Sequence, residues 1–180
     1  MRWVGLLSML WGCASEPESP RHKEDEQVSL NALFAGIEQG CSTNPVLAKA
    51  LASMVLAIDH STWKPSHLVE VPSKWRGIFS SPRLLSTAPT HSIFAASANN
   101  AVFYGFHLVE IRRLVGHQNG ANGFVIVVAG KAQKVRDTLH TELQIVDSCH
   151  NQNFCDFGPF ELIFEENDMG QTEIICDTST

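Results

Sequence analysis

Two long apolar segments joined by a loop of turn-forming residues constrain this chain more than any other feature. Residues 101–115 run Ala-Val-Phe-Tyr-Gly-Phe-His-Leu-Val-Glu-Ile-Arg-Arg-Leu-Val, and residues 124–128 are Phe-Val-Ile-Val-Val. Both are rich in the β-branched and aromatic side chains that suit a pleated, half-buried surface. Between them, residues 116–123 contain three glycines and two asparagines, which favour turns. The pattern predicts a β-hairpin from 102–115 to 124–128. Alternation of side chains along the first strand predicts His107, Val109 and Ile111 on one side, with Glu110 and Arg112 on the other.

The residues after the hairpin continue in clear periods. Gly130 ends the strand. Ala132, Val135, Leu139, Leu143 and Val146 recur at helical spacing, which leaves Lys131, Lys134 and Arg136 outward. Residues 147–158 read as a loop holding two cysteines. Phe160, Leu162 and Phe164 alternate with Glu161, Ile163 and Glu165, a turn is expected at 167–170, and 172–176 returns as a strand.

The N-terminal half carries helical stripes. Leu30, Leu33, Phe34 and Ile37 stand at i, i+3, i+4 and i+7, and Gly40 closes the run. Asn44 and Pro45 then form a start signal, a capping side chain followed by a residue pre-set for the first turn. Leu47, Leu51, Met54, Val55 and Ile58 make the second stripe. Residues 61–90 are broken by Pro65, Pro72, Pro82 and Pro89 and read as irregular, with 67–71 able to form a short edge strand. Trp63 and Trp75 are either pegs into the core or the lining of a partner groove. Residues 91–96 read as a strand, and Asn99-Asn100 as a turn. The expected fold is α+β, with an N-terminal helical hairpin packed on a mostly antiparallel sheet and one further helix, all within a single globular domain over 28–180.

The first 27 residues differ in kind. An apolar run follows Arg2 and ends at Gly12-Cys13-Ala14. At about ten residues it is too short to cross a bilayer as a helix, which needs about 20, and it fits the apolar region of an export signal over 1–12. Beyond Ala14, residues up to 27 offer no hydrophobic side chain, the composition of a disordered tether. Leu10-Trp11-Gly12-Cys13 resembles the lipobox of bacterial lipoproteins. That resemblance implies acylation of Cys13, and Ala14-Ser15 after the cysteine implies sorting to an outer membrane. Acyl chains would hold the protein at a membrane face without a spanning helix. Ordinary secretion is the alternative, with Gly12 and Ala14 as the small residues at −3 and −1 of a cut after Ala14.

Charge argues about partners. The net charge is −6, which speaks against a nucleic-acid binder. The distribution is uneven: residues 64–136 hold nine basic and two acidic side chains, whereas residues 137–180 hold ten acidic and none basic. Either the two regions pack together and offset each other, or they present a bipolar surface to a charged partner. In the second case Arg112, Lys131 and Lys134 are the cations expected to face outward, with Trp63 and Trp75 as further partner-binding residues.

Without Cys13, four cysteines remain, and an even number in an exported domain suits disulfides. Cys149 and Cys155 enclose a short loop, which leaves Cys41 with Cys176; the pairings of Cys176 with Cys149 or Cys155 stay open. Cys149, His150, Cys155 and Cys176 are chemically able to bind zinc, but their spacing does not match the usual ligand pattern, so no metal is expected. Gly130-Lys131 lacks the remaining residues of a phosphate loop, with Val125 and Ala132 at the positions that matter. Glu165, Glu166, Asp168 and Glu173 read as a solvated acidic hairpin tip. Cys41 ahead of a helix and His107 on a later strand resemble, in residue type and order, the papain-like hydrolases, which implies a thiolate nucleophile and its base. No cofactor is implied. The leading expectation is a noncatalytic cell-envelope lipoprotein that binds a protein partner. The alternatives are a small-ligand or lipid-binding envelope module and a thiol hydrolase using Cys41 and His107.

Overall fold

The computed structural model describes residues 27–59, 62–117, 121–143, 154–156 and 161–178, with only the backbone of 154–156 and 161. The export signal, Cys13, the tether, Val146 and Cys149 lie outside the described residues, as does the side chain of Cys155. The elements in chain order are β1 (Val28–Ser29), α1 (Pro45–Ser53), β2 (Val55–Ala57), β3 (Trp63–Pro65), β4 (Arg83–Thr87), β5 (His91–Ser97), β6 (Ala101–Phe103), β7 (Phe106–Gly116), β8 (Asn122–Ala129), α2 (Ala132–Leu143), β9 (Phe154–Asp156), β10 (Glu161–Glu166) and β11 (Gln171–Asp177). The fold is α+β on a mixed sheet. Strands β4-β5-β7-β8-β11-β10-β9 run antiparallel to their neighbours, and the first residues of β7 pair instead with β6, which carries β1 in parallel. Strands β2 and β3 form a separate antiparallel ribbon.

The expected N-terminal helical hairpin is not formed. Leu30, Leu33, Phe34 and Ile37 are all buried, so the stripe does face the core, but the backbone beneath it is a chain of turns. Its amides bond mostly three residues back, as in Leu33 N–H to the Leu30 carbonyl and Gln39 N–H to the Gly36 carbonyl. Gly36 is the cause. Its φ of +109° lies outside the helical region, and a Cβ there would come 2.9 Å from the Ser42 carbonyl oxygen. The segment therefore curls against α1 instead of running alongside it. Asn44 fastens the two: its Oδ1 accepts from the N–H groups of Val46 and Leu47, and its Nδ2 donates to the carbonyls of Leu33 and Ala35. The capping signal at Asn44-Pro45 thus works as expected. The helix it opens is shorter than its stripe, because the chain turns into β2 after Met54.

Three further differences concern strands. The 101–115 segment is two strands, since Tyr104 (φ 45°) and Gly105 (φ 81°) make a two-residue hairpin turn between Phe103 and Phe106. The side-chain alternation of β7 changes phase at Val109, where the register with β8 shifts. Before the bulge Phe106 and Leu108 enter the core; after it Ile111 and Val115 do. His107 is exposed, so His107, Val109 and Ile111 do not share a face. Finally, 67–71 forms no strand, while the region read as irregular holds β3, β4 and a single 3-10 turn at Ser73–Trp75.

One face of the sheet is covered and carries the core. Phe94, Leu108, Ile111, Phe124, Ile126, Val128, Leu162, Phe164 and Ile174 meet the buried residues of the turn segment, α1 and α2. Each fully buried Leu, Ile or Phe contributes about 1.5–3 kcal/mol relative to exposure. Phe34 packs edge-on against Phe103 at 5.1 Å, which joins the turn segment to the β6–β7 hairpin. The sequence placed Arg136 on the outer face of α2, but it is buried beside Val135 and Leu139.

Candidate functional site

Cys41 and Cys176 are bonded to each other, with Cα atoms 5.5 Å apart, across 135 residues of sequence. Both are buried. The bridge joins the end of the turn segment to β11 on the core face, which is the longer of the two disulfides that the cysteine count suggested. In this oxidised form Cys41 has no thiolate to attack a substrate. His107 is six positions along β7 from Arg113, the register mate of Phe124, which in turn opposes Cys176. That is about 20 Å of strand, and His107 points to the other face. The structure therefore does not bring together the two residues of the hydrolase reading.

The opposite face of the sheet carries a charged chain. Arg83, Ala95, Arg112, Val125 and Ile175 lie in register across five strands, and Glu110, Val127 and Glu173 form the next row. Glu110 receives Arg83 Nη2 at 2.8 Å on one oxygen and Arg112 Nε at 2.7 Å on the other. Arg112 Nη1 reaches Glu173 Oε1 at 2.9 Å, and Asn167 Nδ2 donates to the same oxygen at 3.2 Å. Burial alone would push the Glu110 carboxyl up, but hydrogen bonds from Arg83 and Arg112, with their charges, hold it below the usual carboxylate range. Burial opposes the Arg112 charge, and Glu110 and Glu173 more than offset it. Arg112 is thus an internal structural pair and not the outward cation expected for a partner site. Glu173 likewise leaves the solvated acidic tip to which its sequence neighbours were assigned.

Lys131 and Lys134 are exposed, as the helical period predicted. They border a shallow groove along α2 with Asp137 and Thr141. Trp75 is 5% exposed and is a peg in the core, with Lys74 Nζ 4.2 Å from its ring centre. Trp63 is half-buried against the core, and its Nε1 is buried without an acceptor among the described residues. Leu56, Ile58, Leu68, Leu84 and Leu85 are exposed on β2, its continuation, the 67–72 segment and β4. β3, the partner of β2, lies beside β4. An open groove of 680 Å³ between α1 and residues 67–81 is lined by Val46, Leu68, Val71 and Phe79, among others.

Two arrangements escaped the sequence reading. Ser92 Oγ lies 2.9 Å from His117 Nε2, and His117 Nδ1 lies 3.2 Å from the Pro89 carbonyl oxygen. A proton on Nδ1 donated to that carbonyl leaves Nε2 to accept from the serine. Ser92 is 4% exposed, and the pair ties the β4–β5 turn to the end of β7. The second is an open cleft of 450 Å³ beside the disulfide, bordered by Arg113, Asn122, Thr178, Ser42, Thr43 and Leu51. The available signal was the Arg112-Arg113 dipeptide within a strand: neighbouring side chains point to opposite faces, so one of the two arginines had to turn towards the core side. Among the described residues no cluster of three or more His, Cys, Asp or Glu side chains is placed to hold a metal ion, and no helix is long and apolar enough to cross a membrane. The chain matches no protein-family model, no curated protein and no solved structure.

Proposed function

We propose that the chain is an exported, lipid-anchored, noncatalytic module that binds a protein partner in a bacterial cell envelope. The observation that carries this reading is the coexistence of a buried cystine with an exposed apolar surface. A disulfide such as Cys41–Cys176 forms and persists in oxidising compartments and is rare in the cytosol. It supports export, which the leader and the lipobox resemblance suggested. It also removes Cys41 from nucleophilic chemistry. The exposed side chains Leu56, Ile58, Leu68, Leu84 and Leu85 support docking, because large apolar side chains left in water are available to a partner. Strand β4 adds to this. Among the described residues it pairs in the sheet with β5 only, so its other edge is a candidate for an incoming strand. Lys131 and Lys134 remain candidates for steering a charged partner.

The test has two parts. Intact mass of the membrane fraction should show a chain that begins at Cys13 with acyl chains attached, and Cys13→Ala should release it; a chain beginning at Met1, or at Ser15 without lipid, rejects the anchor. Crosslinked envelope should then yield a partner that Leu84→Lys/Leu85→Lys loses and that Lys131→Glu/Lys134→Glu captures more slowly. Both double variants alter exposed positions, so their melting temperatures should stay near that of the parent. Equal capture by all three chains rejects these surfaces, and a hydrolytic activity lost in Cys41→Ser overturns the binding reading.

A further inference from the structure

The cleft beside the disulfide is bordered by a cation that has no carboxylate partner among the described residues. Arg113 stands on the core side of β7, opposite Phe94 of β5 and Phe124 of β8. Its Nη1 donates to the Gly123 carbonyl at 3.1 Å and its Nη2 to Asn122 Oδ1 at 2.8 Å. Both acceptors are neutral. Among the described residues no carboxylate pairs with it, in contrast to Arg83 and Arg112 on the opposite face. Burial pushes the guanidinium below its usual range, with no opposing charge to restore it. A cation that is half-buried is favoured by a counter-charge, and Arg113 borders 450 Å³ of space, the size range of small-molecule sites.

The rest of the lining is two-sided. Ser42, Thr43 and Thr178 bring hydroxyl side chains, while Ala48, Leu51, Ala52 and Phe124 bring apolar ones. The covalent Cys41–Cys176 bridge holds the two walls together, since Cys41 precedes Ser42 and Cys176 lies two residues before Thr178. We propose that this cavity binds a small organic carboxylate with a compact apolar body, its carboxylate on the free N–H groups of Arg113 and its body against Leu51 and Phe124. The planar guanidinium matches a carboxylate in a two-point contact; the hydroxyls of Ser42 and Thr43 border the same space, while that of Thr178 already donates to the Asn122 carbonyl. The site does not depend on the anchoring or the partner of the protein, and the experiment that follows reads neither.

Hexanoate is a suitable probe, with 1-hexanol as its uncharged counterpart and sulfate as its charge without a body. Titration of the purified chain, followed by calorimetry and by the amide resonances of Asn122 and Thr178, should give saturable binding of hexanoate. Hexanol and sulfate should each bind at least about tenfold more weakly. Arg113→Gln should weaken hexanoate by about tenfold or more, the worth of a charge-assisted pair. Ala48→Phe, at an exposed position of α1 that lines the cavity, should block binding by filling it while the melting temperature and the disulfide are retained. It keeps the test decisive should Arg113→Gln fail to fold. Absence of hexanoate binding at about 10 mM, binding undiminished in Ala48→Phe, or sulfate binding as tightly as hexanoate would each overturn the proposal.

Discussion

Arg112 and Glu173 meet across β8, with Nη1 of the arginine 2.9 Å from Oε1 of the glutamate. The contact joins the basic stretch of the sequence to the acidic one, so part of the charge asymmetry is offset inside the fold. Ala95 and Val127, fully buried in the same two rows, lie among the charged side chains. The aliphatic stems of arginine and glutamate cover such small apolar residues while their heads pair above them.

The first prediction concerns Glu110, which binds both Arg83 and Arg112. Glu110→Gln should lower stability by about 1.5–3 kcal/mol, the range for hydrogen bonds to charged groups. The pH dependence has a definite sign. A carboxylate whose pKa is depressed by folding stabilises the native state above its unfolded value, near 4.3 for Glu, and the contribution is lost as pH falls through the folded value. Urea melts of parent and variant should differ by a constant amount above about pH 5 and converge in more acid solution. A difference that grows towards low pH contradicts the pairing.

The disulfide should matter strongly. Replacing Cys41 and Cys176 together by Ala should cost about 2–5 kcal/mol, because the bridge closes a very long loop in the unfolded chain. Denaturant unfolding of the double variant, and of the parent under reductant, measures this. Two free thiols at these positions in a nonreducing peptide map would sink the assignment.

Gly36 should resist substitution. Gly36→Ala places a methyl group against the Ser42 carbonyl and forces an L side chain to φ +109°, at a cost of about 1–3 kcal/mol. If the segment were helical, alanine would instead stabilise it by about 1 kcal/mol. Thermal melts of the single variant separate these outcomes by sign.

The two tryptophans should behave differently. Trp75→Ala removes a buried peg and should cost about 3–5 kcal/mol. Trp63→Phe removes an indole N–H that has no acceptor among the described residues, so the recovered desolvation offsets the smaller ring and the change should stay within about 1 kcal/mol. Comparable losses at both positions would mean that the Trp63 N–H has a partner.

Local chemistry was legible from residues 101–180 because strand and helix periods are short-range. The sequence alone determined the paired strands β7 and β8, the helix α2 and the final hairpin β10–β11, and the capping residues Asn44 and Pro45 marked the start of α1. It also named Cys41 and Cys176 as partners, though only among other pairings. The tertiary structure decided the rest. A helical stripe over 30–37 records which residues are buried, and a curled chain anchored by Asn44 buries the same four side chains as a helix. Alternation read along β7 put Glu110 and Arg112 on one face, but it could not say that Glu173, two strands away, lies beside them, nor that the bulge at Val109 moves His107 off the face of Ile111. Charges far apart in the chain find one another only when a sheet sets its strands side by side. That is why the paired arginine and the uncompensated one, adjacent in sequence and chemically identical, could be told apart only in the folded molecule.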